Sequence, residues 1–263
     1  MKIALMDSGI GLLAAAAAMR RLRPDADLLL SSDPDGMPWG PRTPASLTGR
    51  ALSVARAAAA HRPDALIVAC NTATVHALPT LRAELEPAIP VIGTVPAIKP
   101  AAAGRGRVAI WATPATTGSP YQRALIRDFA DGVPVTEVPC PGLADAVEHA
   151  DGAAVTAAVA AAAALTPAEV TDVVLGCTHY ELVETAIRAA LADRTGGAGL
   201  TFHGSADAVA VQALRRIGAR PEPGPPATGT LTVLRSGRQE DLPAAAFAYA
   251  EGRLLAGRGA VVA

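Results

Sequence analysis

Short runs of β-branched and other apolar residues alternate along this chain with longer stretches where Ala, Leu and polar residues recur at helical spacing. That alternation predicts an α/β architecture. Strands are predicted at Lys2–Met6, Ala26–Ser31, Ala65–Ala69, Val91–Thr94, Val108–Trp111, Val133–Val138, Asp172–Gly176 and Leu200–His203. Helices are predicted between them, at Leu12–Leu22, Pro44–Ala60, Val75–Leu85, Ser119–Phe129, Gly142–Glu148, Ala153–Leu165, Leu182–Leu191 and Ser205–Ile217. A run such as Ala65–Ala69 lacks the alternation of a half-exposed sheet, so mostly parallel sheets covered on both faces are expected.

The strands repeat. The run Lys2-Ile3-Ala4-Leu5-Met6-Asp7-Ser8 resembles Arg107-Val108-Ala109-Ile110-Trp111-Ala112-Thr113. At nearly the same spacing, Leu66-Ile67-Val68-Ala69-Cys70-Asn71-Thr72 resembles Val173-Val174-Leu175-Gly176-Cys177-Thr178-His179. Two similar α/β lobes are expected, residues 1–96 plus 206–263 forming the first and 97–205 the second. The Pro-rich stretch Val95–Pro100 marks the boundary, and the chain crosses back near Gly204-Ser205. The segment Arg220–Gly229 reads as a surface loop. The tail reads as an extended run, Leu231–Arg235, and an amphipathic helix, Leu242–Leu255.

Composition narrows the classes of function. Of 263 residues, 51% are hydrophobic and 18% charged, which places the chain among globular proteins. A net charge of -1 and 3% aromatic residues leave neither the positive field nor the stacking surfaces that a nucleic-acid partner needs. No stretch reads as a membrane span and the N-terminus does not read as a signal peptide. With three cysteines and no paired spacing, reduced thiols in the cytoplasm are expected, with neither a disulfide framework nor a metal site.

Candidate chemistry gathers at strand ends. Cys70 and Cys177 each close a strand-like run and precede hydroxyl- or amide-bearing residues, Asn71-Thr72 and Thr178-His179. Ligands of open α/β sheets bind beyond the carboxyl ends of the strands. A helix N-terminus there favours a thiolate or a substrate carboxylate. A single cysteine after a buried strand is by default a small core residue; two at matched positions of a repeat are harder to dismiss. Cys140, followed by Pro141, lacks that context and reads as structural. Asp7-Ser8-Gly9-Ile10-Gly11 offers polar groups on a tight turn, or simply a turn capped by Ser8. It lacks the third glycine of a dinucleotide fingerprint. His76, one helical turn beyond Thr72, could reach the site but reads by default as structural; Glu148 could project toward a cleft but on pattern alone reads as a solvated helix charge.

Taken in order, these motifs resemble the glutamate racemase family, within the cofactor-independent aspartate/glutamate racemases. The resemblance rests on Asp7–Leu12, Cys70-Asn71-Thr72-Ala73, Gly93–Ala101, Ala112–Thr116 running to Tyr121, Cys140-Pro141-Gly142-Leu143 with Glu148, and Leu175–Tyr180. It spans roughly residues 1–215.

The resemblance implies two lobes related by a pseudo-twofold axis, an active site in the cleft between them, and no cofactor. Two thiols would act on opposite faces of the substrate α-carbon, Cys70 on the D- and Cys177 on the L-amino acid. It further implies that Asp7, His179 and Glu148 assist proton transfer, while Ser8, Asn71, Thr72, Thr113, Thr116 and Thr178 hold the amino acid's charged groups. Trp39 and Gly40, on the loop Pro38–Thr43, stand where the family contacts substrate. That loop departs from the family, which commonly has Tyr in place of Trp39 and Lys-Ser in place of Arg42-Thr43. Gly204 stands where an Asp is usual, and Glu181 where a Pro is usual. The implied partners are a small-molecule acid, most simply glutamate, and a second copy in a homodimer. A racemase of another small acid such as aspartate, or a non-catalytic binder of small acids, are the other readings.

Overall fold

The structure, a computed structural model, describes residues 1–192, 199–224 and 226–257. Pro225, in the predicted 220–229 loop, and residues 258–263 of the predicted tail lie outside the described residues. Two compact units are present: Met1–Val95 with the chain from Ala206 onward, and Pro96–Ser205.

The first unit is built on β1 (Lys2–Asp7), β2 (Asp27–Ser32), β3 (Ala65–Val68) and β4 (Val91–Gly93), with β9 (Leu231–Arg235) and β10 (Arg238–Gln239) added from the end of the chain. Their order is β10-β9-β2-β1-β3-β4. All pairings are parallel except β10 with β9. Ile3–Met6 and Ala65–Val68 are buried throughout, as a sheet covered on both faces requires. One face packs Ala4, Met6, Leu66 and Val68 against α2 (Pro44–Ala59) and α3 (Asn71–Leu85). α1 (Leu13–Leu22) packs against α10 (Ala206–Arg216) and α11 (Ala250–Leu255). The run Ala14–Ala18 in α1 is wholly buried, which small side chains allow because neighbouring helices can approach closely.

The second unit holds β5 (Val108–Ala112), β6 (Val135–Pro139), β7 (Asp172–Leu175) and β8 (Thr201–His203), all parallel, in the order β6-β5-β7-β8. Its helices are α4 (Ile98–Ala103), α5 (Pro120–Phe129), α6 (Leu143–Glu148), α7 (Gly152–Leu165), α8 (Thr178–Glu181) and α9 (Glu184–Ala192). Read in the same sense, β4-β3-β1-β2 and β8-β7-β5-β6 are one topology used twice, so the sequence repeat is a repeat of structure. The protein is therefore α/β with mostly parallel sheets.

Four elements differ from expectation. α3 begins at Asn71 rather than Val75, because Cys70 caps it: the sulfur accepts the Ala73 N–H at 3.5 Å. Thr178–Glu181 forms a turn of helix ahead of the predicted 182–191 helix. Ile98–Ala103 is helical although it contains Pro100, since a proline in the first turn loses only an N–H that has no intrahelical acceptor. The predicted helix Leu242–Leu255 is broken into a 3₁₀ turn, Ala244–Ala248, and α11, with Tyr249 extended between them. α11 folds back on that turn so tightly that a Cβ at Gly252 would lie 2.0 Å from the Ala246 carbonyl oxygen. No described helix is long and apolar enough to cross a membrane.

Candidate active site

In the first unit, β1 and β3 are neighbours whose ladder ends with the Ala69 N–H donating to the Met6 carbonyl at 2.8 Å. The next residues on each strand, Asp7-Ser8 and Cys70-Asn71, therefore emerge side by side at the carboxyl edge, and all four are buried. Asp7 Oδ1 accepts the Ser8 backbone N–H at 2.7 Å and the Ser8 hydroxyl at 3.4 Å. Ser8 thus turns toward Asp7, while Gly9 takes the N-cap of the following turn without a side-chain cap. Cys70 at the N-cap of α3 stands where the helix dipole favours a thiolate. Thr72 is half-buried one residue inside that helix.

The second unit repeats the device. Gly176 N–H donates to the Trp111 carbonyl at 2.8 Å, closing the β5–β7 ladder as Ala69 and Met6 close theirs. A Cβ at Gly176 would stand 2.7 Å from that carbonyl oxygen, so only glycine permits the approach. Cys177 follows as the N-cap of α8. Its sulfur lies 3.8 Å from His179 Nδ1, and His179 Nε2 lies 2.9 Å from Glu148 Oε2. The His179 and Glu148 side chains are only 7% and 13% exposed. A thiol, an imidazole and a carboxylate in series can pass a proton while the carboxylate fixes the ring. Thr178 is buried beside them. Thr113 and Thr116, on the turn after β5, place their hydroxyl oxygens 3.3 Å apart.

Trp39 and Gly40 lie on the loop after β2. Trp39 is buried in the core cluster of the first unit, and its indole N–H donates to Asp33 Oδ2 at 2.9 Å. Its polar atom is thus committed within the protein and its ring to the core, so Trp39, expected to contact substrate, instead anchors the loop that carries Gly40. Cys140 is buried, and burial pushes its thiol up to about 12; it is no acid/base group near neutrality. The backbone carbonyl of Cys140 accepts the Tyr180 hydroxyl at 3.3 Å, tying α8 to the turn after β6. His76 is exposed on α3. Sequence reasoning passed over Asp33, although an acidic residue directly after β2 at the carboxyl edge was the available signal. Among the described residues, no three of His, Cys, Asp or Glu cluster as metal ligands would.

The strand-end thiols and the doubled parallel sheet define a class. Residues 11–219 match the model of the Asp/Glu/Hydantoin racemase family, and the chain belongs to that family. A glutamate racemase of Vibrio campbellii is 39% identical over 214 residues, covering 80% of this chain and 77% of its own. A glutamate racemase of Roseiflexus sp. is 38% identical over 198 residues, 73% of this chain and 72% of its own. The crystal structure of Escherichia coli glutamate racemase, solved with L-glutamate and an activator, superposes with a TM-score of 0.74 at 24% identity over 94% of this chain and 91% of that one.

Proposed function

We propose that this chain is a cofactor-independent glutamate racemase. The observation that carries the reading is the doubled strand-end thiol: Cys70 and Cys177 each occupy the N-cap position of a helix at the carboxyl end of a central strand, β3 in one unit and β7 in the other. Inverting a stereocentre by proton transfer needs one base to take the α-proton and an acid on the far face to return one.

In this reaction the substrate is an α-amino acid whose α-carbon meets both thiols. One thiolate takes the α-proton, so the Cα–H bond breaks as an S–H bond forms and the electron pair passes toward the α-carboxylate. The other thiol then gives its proton to Cα and becomes the thiolate. Cys70 serves the D- and Cys177 the L-enantiomer. His179, held by Glu148, manages the Cys177 proton, and Asp7 that of Cys70. Ser8, Asn71, Thr72, Thr113, Thr116 and Thr178 hold the α-carboxylate and α-ammonium groups, and Gly40 borders the substrate on the loop that Trp39 anchors. Fixed donors at the carboxylate favour the charge that develops there. The product D-glutamate would serve peptidoglycan synthesis in a bacterial cytoplasm, the enzyme acting as a homodimer.

Incubation with L-glutamate in heavy water tests this. Optical rotation decays to zero while deuterium enters Cα. Exchange with aspartate and not with glutamate would reassign the substrate, and binding without exchange would make the protein a small-acid binder.

A further inference from the structure

Asp33 follows β2 directly and is 3% exposed. Its backbone N–H donates to the Ser8 carbonyl at 3.1 Å, which ties it to the Asp7-Ser8 turn. Its carboxylate takes four hydrogen bonds. Oδ2 accepts from Trp39 Nε1 at 2.9 Å and from Arg50 Nε at 2.7 Å. Oδ1 accepts from an Arg50 terminal nitrogen at 2.7 Å and from the Ser236 hydroxyl at 3.2 Å. An ionised carboxylate has about four lone-pair sites, so both oxygens are filled.

These donors come from the Trp39 loop, from α2 and from the β9–β10 turn. Ser236 and Gly237 both have positive φ, 48° and 80°, the geometry of a two-residue hairpin turn that swings the hydroxyl back to Asp33. The loop closes over the Asp33–Arg50 pair at Gly36, where a Cβ would stand 2.0 Å from Asp33 Oδ2 and 2.2 Å from Arg50 Nε. Arg42 Nε donates to the Gly36 carbonyl at 2.7 Å and fastens the other end. Outside the cluster a cavity of about 380 Å³ admits solvent to Arg50, whose side chain is 35% exposed against 4% for Asp33. A carboxylate this buried is tolerable only when fully paired, and full pairing fixes a single arrangement of its donors.

We propose that Asp33 is a positioning residue for substrate binding, holding the 36–43 loop through Trp39 Nε1 and Arg50 so that Trp39 and Gly40 keep the conformation that admits the amino acid. The proposal rests on the racemase reading for its kinetic consequence but not for its structural one.

Two measurements separate these. Hydrogen exchange reads the loop without turnover: Asp33→Asn speeds exchange of the 36–43 amides by about tenfold or more, with β1 and β3 unchanged. Equal loop exchange in variant and parent overturns the proposal. Kinetically, Asp33→Asn raises KM for both glutamate enantiomers by about tenfold and lowers kcat, per active site titrated, by less than about threefold. A merely structural role would reduce the folded fraction and leave KM alone, and that result also overturns it. Trp39→Phe keeps a ring and removes the N–H donor. Its KM effect and that of Asp33→Asn are less than additive in the double variant, whereas additivity overturns the route through Trp39. If Asp33→Asn does not fold, Trp39→Phe and Ser236→Ala carry both readouts with the same expected signs. A parent protein that fails to racemise glutamate defeats the racemase reading, while the exchange comparison still decides whether Asp33 orders the loop.

Discussion

Replacing one sulfur tests the chemistry at its smallest scale. Cys70→Ser or Cys177→Ser removes an acid/base group and little volume, so racemisation falls by about 10²- to 10⁴-fold with the thermal midpoint nearly unchanged. Enantiomers in water have equal free energies, so kcat/KM must fall equally in both directions whichever thiol is lost. The roles are separated instead by α-proton exchange: Cys177→Ser continues to exchange deuterium into D-glutamate and not into L-glutamate, and Cys70→Ser does the reverse. NMR of the Cα position checks this, and exchange of both enantiomers in either variant defeats the assignment. Cys140 differs from both. Burial pushes its folded thiol up to about 12, against about 8.5 for a thiol in an unfolded chain. The folded state keeps its proton while the unfolded one loses it, so stability is intact below about pH 8.5 and declines by about 1.4 kcal/mol per pH unit from there toward 12. Denaturant melts of wild type and Cys140→Ala across that range should differ by that slope.

Elements depend on close approaches that hydrophobic patterning does not reveal. Gly176→Ala forces a Cβ against a backbone oxygen of the neighbouring strand and so shifts the turn that carries Cys177. A loss of about 1–3 kcal/mol in a denaturant melt is expected, with a fall in racemisation larger than the folded fraction explains. The predicted strands survive because a buried parallel strand is a run of apolar residues, legible without neighbours. The helix ends were less legible. A cysteine is a poor cap by composition, so pattern alone starts α3 four residues late, and a one-turn helix such as Thr178–Glu181 is too short for any period to show. The 242–255 stretch carries a helical pattern but bends at Tyr249, for a contact between Gly252 and Ala246 that only the tertiary fold reveals. The thiols and their polar neighbours could be picked out as candidates because they follow strands in both copies of a repeat. Asp33 shows in the sequence only as an acidic residue after a strand, because what sets it apart is four donors scattered from Trp39 to Ser236.

The whole chain is one four-strand topology used twice, and the two copies are not assembled alike. The second unit is a single continuous stretch with its own sheet and buried cluster. Expressed alone, residues 96–205 should give helical circular dichroism and a cooperative melt without racemisation; a chain that shows no cooperative melt would count against its independence. The first unit is drawn from both ends of the polypeptide: β9, arriving after residue 230, lies parallel along β2. On the ribosome, the inserted unit is complete while the outer margin of β2 still has bare amides and carbonyls. Any product truncated before β9 keeps that margin open and invites a strand from a neighbouring molecule, so premature termination should yield inclusion bodies rather than a soluble half-enzyme.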